Sequence, residues 1–294
     1  MTTAPPPDFD WTDPAIADAY DELSLWSAMA GQLLLRHLPL APRLTVLDVG
    51  CGTGFPTIEL AERLGPTSTV CGIDPWAVAL DRARRKVSIR AVPNVTFVRA
   101  DGSAMPFADR SFDLIVSNLG VNNFENPAAA FAECRRVARP GARLALTTNL
   151  QGHMAEFYTI FRSVLPVEAS ADLDRHIDGR ATVERVRGLL QAAGFDVVRT
   201  ERETAMMRFA DGAALLHHSF IRLGFLPSWW KLVAADQRME VFERLETALD
   251  AHAAARGSLD LSIPLAYVEA LSRDQRDPAR RAASSRVRAA ARPP

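Results

Sequence analysis

The sequence predicts an α/β fold built on a doubly wound, mostly parallel sheet of seven strands. Short apolar, strand-like segments alternate with helix-like segments along the chain, a pattern typical of parallel sheets with crossover helices. A glycine-rich turn follows the first strand, at residues 50–54. Acidic or amide residues follow the ends of the next strands. Open α/β sheets bind ligands at these carboxyl ends, so the fold class also predicts where the site lies.

The strands are predicted from apolar runs bounded by turn residues. They cover residues 44–49, 69–73, 95–100, 112–118 and 142–149, part of 196–209, and 259–271. One helix is expected over 54–64, another begins with Pro75 in its first turn, and another follows Pro127. Pro140 and Gly141 are expected to break the chain before the fifth strand. A further helix over 181–195 is expected to stop at Gly194.

Two helical segments lie outside this alternation. Residues 15–38 carry apolar groups at helical spacing and predict one or two helices. The connection at 211–257 also reads as helices and is rich in large apolar side chains. The predicted organisation is an N-terminal helical segment (1–38), a cofactor-binding core (39–210), a helical cap (211–257), the last core strand (258–271) and a disordered basic tail (272–294). The tail has seven arginines and two aspartates.

Composition narrows the class of protein. The chain has 294 residues, 48% of them apolar, which is enough for a large core. Its net charge of −1 disfavours a protein that wraps nucleic acid. Three cysteines stand without metal-ligand spacing, no basic leader precedes an apolar core, and no apolar run approaches membrane-spanning length. We therefore expect a cytoplasmic protein with no metal site, no nucleic-acid partner and no stable membrane insertion.

The glycine turn reads DVGCGTGF over residues 48–55. A dinucleotide fingerprint needs a small third residue, where this chain has Phe55, and Asp48 would face the phosphates. S-adenosylmethionine (SAM) has no phosphate and carries two cations that an acid favours. The glycines would let the backbone approach its methionine portion. The turn therefore predicts SAM, with Asp48 near its cationic end.

Acids after the second and third strands extend this site. Asp74 is expected to accept hydrogen bonds from both ribose hydroxyls, since a carboxylate has two acceptor oxygens. Asp101 is expected to accept from the adenine amino group. Trp76 is expected either to pack on the adenine ring or to belong to the core.

These motifs resemble the Rossmann-like, class I SAM-dependent methyltransferases, especially the ubiquinone/menaquinone-biosynthesis branch and its small-molecule relatives. The resemblance covers roughly residues 15–210 and is carried by VLDVGCGTG (46–54), GIDP (72–75), RADGSAMPFADRSFDLIVSN (99–118) and ECRRVARPGARLAL (133–146). It implies that the last strand is antiparallel and lies beside the fifth. It also implies cofactor-binding roles for Asp48, Gly50, Cys51 and Gly52 at the methionine end, Asp74 and Pro75 at the ribose, Asp101 and Gly102 at the adenine, Asn118 on the pocket floor and Tyr20 as a closing residue.

The acceptor side is less specific. SNLGVNNF (117–124) lacks the Asn/Asp-Pro-Pro-Tyr-like motif of enzymes that methylate exocyclic amines of bases. The cap leaves a parallel strand at the cofactor face, so its aromatic groups, Trp229 and Trp230 among them, are expected to wall an acceptor pocket. In a competing interpretation the part of this stretch at residues 215–231 lies on a membrane surface. Its only cations are Arg222 and Lys231, which are few for an interfacial helix.

A general base is needed only if the acceptor must lose a proton. His153, His217 and His218 are the candidates, because histidine titrates near neutral pH. The predicted function is methyl transfer from SAM to the oxygen, carbon or nitrogen of a small, largely apolar or aromatic acceptor. A nicotinamide-dependent oxidoreductase and a non-catalytic SAM-binding regulator are the alternatives. The sequence leaves the oligomeric state open.

Overall fold

The computed structural model describes Pro5 and residues 8–23 and 25–273. Its centre is a seven-stranded sheet with the order β3-β2-β1-β4-β5-β7-β6. Only β7 is antiparallel to its neighbours β5 and β6. This confirms the predicted doubly wound, mostly parallel sheet and the position of its last strand. The strands are β1 (Thr45–Val49), β2 (Thr69–Asp74), β3 (Val95–Arg99), β4 (Phe112–Asn118), β5 (Ala138–Asn149), β6 (Phe195–Phe209) and β7 (Leu259–Ser272).

Helices cover both faces of the sheet. The N-terminal pair is α1 (Pro14–Glu22) and α2 (Leu25–His37). The core helices are α3 (Thr57–Leu64), α4 (Ala77–Arg90), α5 (Pro127–Val137), α6 (Ala155–Val164), α7 (Ser170–Asp178) and α8 (Val183–Ala193). Between β6 and β7 lie α9 (Gly212–His217), α10 (Ser219–Gly224), α11 (Leu226–Lys231) and α12 (Arg238–Arg256). Short 3-10 helices cover Gly120–Asn123 and Val167–Ala169.

Local sequence explains several helix ends. Asp13, Asn126, Thr182 and Asp211 cap α1, α5, α8 and α9 by accepting hydrogen bonds from first-turn N–H groups. Gly194 ends α8 with φ +96°, a left-handed conformation that glycine adopts without strain. The predicted stop at Gly194 is therefore confirmed.

Three local predictions are corrected. Pro140 and Gly141 lie inside β5 rather than before it, because a register shift opposite Phe112 and Leu114 absorbs the extra residues. Pro75 precedes the helix instead of lying in its first turn, since Trp76 is the N-cap of α4. Helices α6 and α7, which lie between β5 and α8, were not predicted from the sequence. The predicted tail lies outside the described residues beyond Arg273.

The sheet divides the apolar core into two layers, one on each face. Along β1, Val46 belongs to the apolar cluster that includes α2, α3 and the helices between β6 and β7, whereas Leu47 belongs to the cluster that includes α5 and α8 on the other face. This alternation follows from the two-residue period of a strand. Because all residues of β1 after Thr45 are buried, the strand is enclosed on both sides.

The helices between β6 and β7 pack on α6. The ring of Trp229 stacks on Phe157 of α6, with the ring centroids 4.0 Å apart. Phe242 of α12 contacts both Phe161 and Trp230, with ring centroids 5.8 and 4.6 Å away. We call α9–α12 the cap, as the sequence analysis did for residues 211–257. No helix among the described residues is long and apolar enough to cross a membrane.

Candidate active site

A cavity of about 530 Å³ opens at the carboxyl ends of β1, β2, β3 and β4. This is the edge at which the fold class predicts a ligand. Eight of the predicted cofactor residues line it: Tyr20, Gly50, Gly52, Asp74, Pro75, Asp101, Gly102 and Asn118. The volume is in the usual range for a small-molecule site, roughly 300–1,000 Å³.

The glycine turn brings bare backbone to the cavity. Gly50 and Gly52 have φ of +77° and +52°, so both adopt left-handed conformations. The N–H groups of Gly50 and Cys51 donate to the Ile73 carbonyl at 2.9 and 3.0 Å, which ties the turn to the end of β2. A Cβ on Gly50 would lie 3.0 Å from Gly120 Cα, whereas one on Gly52 would project into open space. The turn is therefore fixed to β2 on its protein side and is free of side chains at Gly52.

Asp74 links the turn to α4. Its Oδ2 accepts the Gly52 N–H at 2.9 Å and its Oδ1 accepts the Trp76 N–H at 2.9 Å. Burial raises the pKa of Asp74, and these two N–H groups oppose that shift. A carboxylate has about four acceptor positions, so both oxygens can still accept from a ligand.

Asp101 and Gly102 follow β3 at the same edge. Asp101 Oδ1 accepts from the N–H and the hydroxyl of Ser103 at 2.7 and 2.6 Å. The two bonds lower the pKa of this exposed carboxyl. A Cβ on Gly102 would lie 3.2 Å from Val49 Cγ1, so a side chain at this position would crowd the end of β1.

Asn118 and Tyr20 bound the cavity from two sides. Asn118 is buried, donates to the Ser27 carbonyl at 3.0 Å and accepts from the Thr147 hydroxyl at 2.8 Å. Tyr20 lies edge-on to Trp76, with the ring centroids 5.4 Å apart. Burial and the nearby Asp74 raise the pKa of Tyr20. Asn118 is thus a fixed part of the floor, and Tyr20 is part of an aromatic rim.

Asp48 and Cys51 do not line the cavity, which corrects their predicted positions. Asp48 shares a face of β1 with Val46, so its side chain points toward α3, where the Thr57 hydroxyl donates to it at 2.6 Å. Burial, and secondarily the charge of Asp74, raise the pKa of Asp48 to about 7. The Cys51 sulfur packs against Gly72 of β2. Both residues support the turn from behind.

Trp11 is a rim residue that the sequence analysis missed. It lines the cavity, its carbonyl accepts the Trp76 Nε1–H at 2.7 Å, and the two rings meet edge-on at 5.4 Å. The only sequence signal for it was an aromatic residue in a proline-rich segment. Trp76 is correspondingly a rim residue rather than a core residue.

The other end of the cavity is aromatic. Trp26 of α2 meets Phe225 edge-on at 5.2 Å and Phe220 at 5.8 Å, and all three side chains line the cavity. Trp229 and Trp230 do not line it. Trp229 is fully buried against α6 and Trp230 contacts α12, so the expected pocket role of this tryptophan pair is corrected. The cap thus contributes to the cavity through Phe220, Leu223, Gly224 and Phe225.

The same packing bears on the membrane interpretation. The large apolar side chains of the cap stretch are buried inside the protein and do not form an outward apolar face: Leu215, Phe220, Phe225, Leu226, Trp229 and Trp230. An interfacial helix needs such a face. These side chains therefore pack inside the protein, some against α6 and α12 and others at the cavity.

The three candidate histidines are dispersed. His153 is 1% exposed, lies behind Trp26 and Phe225 with ring centroids 6.1 Å from each, and does not line the cavity. Burial lowers the pKa of His153 to about 3, helped by Arg180 and His176. His217 is exposed beside the Ala213 carbonyl, and His218 accepts the Phe220 N–H at the start of α10. Neither of these two lines the cavity.

Polar groups at the aromatic end were also missed. Asn122, Asn149 and Arg180 line both this cavity and an adjoining one of about 270 Å³. Asn149 ends β5 just as Asn118 ends β4, so the strand-end rule could have found it. Arg180 lies in the connection between α7 and α8, where no pattern marked it. No cluster of metal-binding side chains occurs among the residues that the structure describes.

Comparisons with known proteins agree with this site. Residues 47–146 match the family model described as a methyltransferase domain. The chain is 30% identical to nocamycin O-methyltransferase of Saccharothrix syringae over 77% of this chain and 85% of that protein. It is 30% identical to demethylmenaquinone methyltransferase of Listeria monocytogenes over 60% of this chain and 77% of that protein. A crystal structure of a SAM-dependent methyltransferase from Aquifex aeolicus shares the fold, with a TM-score of 0.51, 24% identity, and 64% and 91% of the two chains covered.

Proposed function

This chain belongs to the SAM-dependent methyltransferases with the class I, Rossmann-like fold, and we propose that its acceptor is a small, largely apolar or aromatic molecule. The observation that carries the proposal is the aromatic wall formed by Trp26, Phe220 and Phe225. Along the sheet edge, Asp74 ends β2 whereas Asn149 ends β5, on the other side of β1 and β4. The cofactor and the acceptor therefore have separate places in one cavity.

The cavity fits SAM at the β1–β3 side. Gly52 leaves open space where a side chain would stand, and Asp74 keeps acceptor capacity beyond its two backbone bonds. In this proposal Gly50 and Gly52 approach the methionine portion, Asp74 holds the ribose hydroxyls, Asp101 faces the adenine and Tyr20 closes the rim. SAM, when bound, supplies a methyl group on a positively charged sulfur.

The chain's own contribution is positioning. Holding two reactants in line is worth up to about 7–11 kcal/mol in favourable cases. Phe220 and Phe225 belong to the cap and Trp26 belongs to α2, so side chains from two separate parts of the chain would contact the acceptor. Their apolar faces also keep water from the transferring methyl group. In this proposal none of the three candidate histidines acts as a base, because His153 is buried with a low pKa and the other two lie outside the cavity.

We also propose that the acceptor is not a nucleic acid and that the protein works in the cytoplasm. The net charge of −1 supports the first point, since nucleic-acid binding requires a basic surface. The free thiols Cys51, Cys71 and Cys134 support the second, as unpaired cysteines are typical of a reducing compartment.

A mass-spectrometric screen tests the proposal. Purified protein, SAM and small-molecule cell extracts are incubated, and products are searched for the gain of one methyl group. We expect methylation of an apolar or aromatic compound that is absent with the Asp74→Ala variant. Methyl transfer confined to the nucleic-acid or protein fraction of the extract would contradict the proposal.

A further inference from the structure

Arg180 lines the cavity and forms no ion pair with any residue that the structure describes. Its Nε is buried and has no hydrogen-bond partner in the described part of the chain. Among the described residues, no carboxylate oxygen lies within 4.0 Å of its guanidinium, in contrast to Arg82 and Arg136, which pair with acids. Glu125 also lines both cavities but lies beyond that distance. Folding has therefore placed a positive charge at the acceptor end and left it unneutralised.

A hydrogen-bond chain from the cap fixes Arg180 in place. Trp229 Nε1–H donates to the Tyr158 hydroxyl at 3.2 Å, and this hydroxyl lies 3.0 Å from His176 Nε2. Arg180 Nη2 lies 3.4 Å from the same nitrogen. Burial and the charge of Arg180 lower the pKa of His176 to about 4, so the ring is neutral at pH 7 and Nε2 can accept. One edge of the guanidinium is thus held by the protein, and Nε remains without a partner.

Asn149 also lines both cavities, and the bridge between Leu150 and Ala181 joins its segment to that of Arg180. Its Oδ1 accepts from Asn122 Nδ2 at 2.5 Å, and Asn122 Oδ1 in turn accepts from the Thr148 hydroxyl. These bonds orient the Asn149 amide, whose buried Nδ2 has no hydrogen-bond partner within residues 8–23 and 25–273. Buried donors without partners are rare in folded proteins and call for an explanation. Two such donors beside one cavity indicate a ligand with acceptor oxygens.

We propose that the acceptor of this enzyme is a small organic acid, whose carboxylate binds Arg180 and Asn149 while its apolar part packs on Trp26 and Phe225. A carboxylate has two oxygens, so one group can accept from both side chains, and arginine suits it by geometry and charge. The inference rests on the proposed small apolar or aromatic acceptor and narrows it to anions. Arg180 is then the residue that selects acids over neutral molecules of the same shape.

The test uses the enzyme loaded with S-adenosylhomocysteine and matched pairs of probes. The pairs are benzoate and benzamide, 4-phenylbutyrate and 4-phenylbutyramide, and 2-naphthoate and 2-naphthamide, with binding measured by ligand-observed NMR titration. We expect at least one acid to bind tenfold or more tightly than its amide. Arg180→Gln should reduce that preference to less than twofold, and Arg180→Lys should retain part of it.

Two controls separate charge selection from damage to the fold. Arg187→Gln removes the same charge from an exposed position on α8 and should leave the preference unchanged. Affinity for S-adenosylhomocysteine should stay within threefold in all variants, which shows that the cofactor side is intact. Amides that bind as tightly as acids would overturn this inference alone. Binding of neither acids nor amides by the loaded enzyme would overturn both this inference and the proposed small apolar acceptor.

Discussion

Thr57 Oγ1 donates a hydrogen bond of 2.6 Å to Asp48 Oδ2 beneath the glycine turn, and the other oxygen of Asp48 is buried without a partner. The bond joins the end of β1 to the first turn of α3 across the loop that faces the cofactor. Because Asp48 is 0% exposed, its charged form is costly, and the protonated form is favoured up to a pH of about 7. Asp48, which was expected to contact the cofactor, instead supports the glycine turn through its hydrogen bond with Thr57.

Asp48 should therefore make stability depend on pH. Its pKa is about 7 in the folded state and near 3.8 when unfolded, so between these values the folded state holds the extra proton. The contribution to the free energy of unfolding is full below pH 3.8 and is lost as pH rises through 7, with a slope of up to ~1.4 kcal/mol per pH unit. Asp48→Asn should remove this slope.

Denaturant unfolding from pH 4 to 8 measures the effect as the difference between wild type and Asp48→Asn. Taking the difference is necessary because buried His153 contributes the opposite slope, gaining stability as pH rises from about 3 to 6.5. The exposed Asp81→Asn variant is the control and should leave the slope unchanged. Parallel curves for wild type and Asp48→Asn would contradict the prediction.

Asp74→Ala should weaken SAM binding by at least about 100-fold. The variant removes the proposed acceptor of the ribose hydroxyls, and hydrogen bonds to a charged group contribute about 1.5–3 kcal/mol each. It also releases the Gly52 N–H, so the turn loses a brace. Asp74→Asn, which keeps one oxygen, should have an intermediate effect. Calorimetric titration decides, and an affinity for SAM within threefold of wild type would rule out the ribose assignment.

Trp229→Ala should act mainly on stability. The side chain is fully buried, stacks on Phe157 and donates to Tyr158, so its removal leaves a large cavity between the cap and α6. Such truncations cost about 3–5 kcal/mol. Phe225→Ala is the matched comparison, because Phe225 lines the cavity. This variant should raise the KM for the acceptor and leave the affinity for SAM unchanged. Thermal and denaturant unfolding provide the measurement. A Trp229→Ala protein of wild-type stability would show that the stacked contact contributes nothing.

His153→Phe should leave methyl transfer within about fivefold of wild type. His153 has a pKa of about 3 and lies behind the aromatic wall, so we expect it to fill space rather than act as a base. Phenylalanine at this position would keep the ring contacts with Trp26 and Phe225. The assay is kcat/KM with an acceptor from the extract screen, and the exposed His217→Ala variant is measured beside it. General-base catalysis contributes about 10²–10⁴-fold. A loss of that size in His153→Phe would restore His153 as a base.

The sequence by itself determined the sheet, its strands and the edge at which the cavity opens. Those features follow from local patterns, namely apolar runs, glycines that permit positive φ, and polar residues at strand ends. Gly50, Gly52, Asp74 and Asp101 were found this way because each belongs to a motif a few residues long. The same reasoning placed the cap, since the direction of β6 fixes the face where its connection emerges.

Only the tertiary structure decided which side chains of those motifs face the cavity. Asp48 belongs to the strongest motif in the chain, yet the two-residue period of β1 turns it toward Thr57. Arg180 belongs to no motif, yet the bridge between Leu150 and Ala181 brings its segment to the end of β5, and it lines the same cavity as Asn149. A short sequence pattern specifies backbone conformation, whereas the direction of a side chain and its long-range neighbours depend on how distant elements pack.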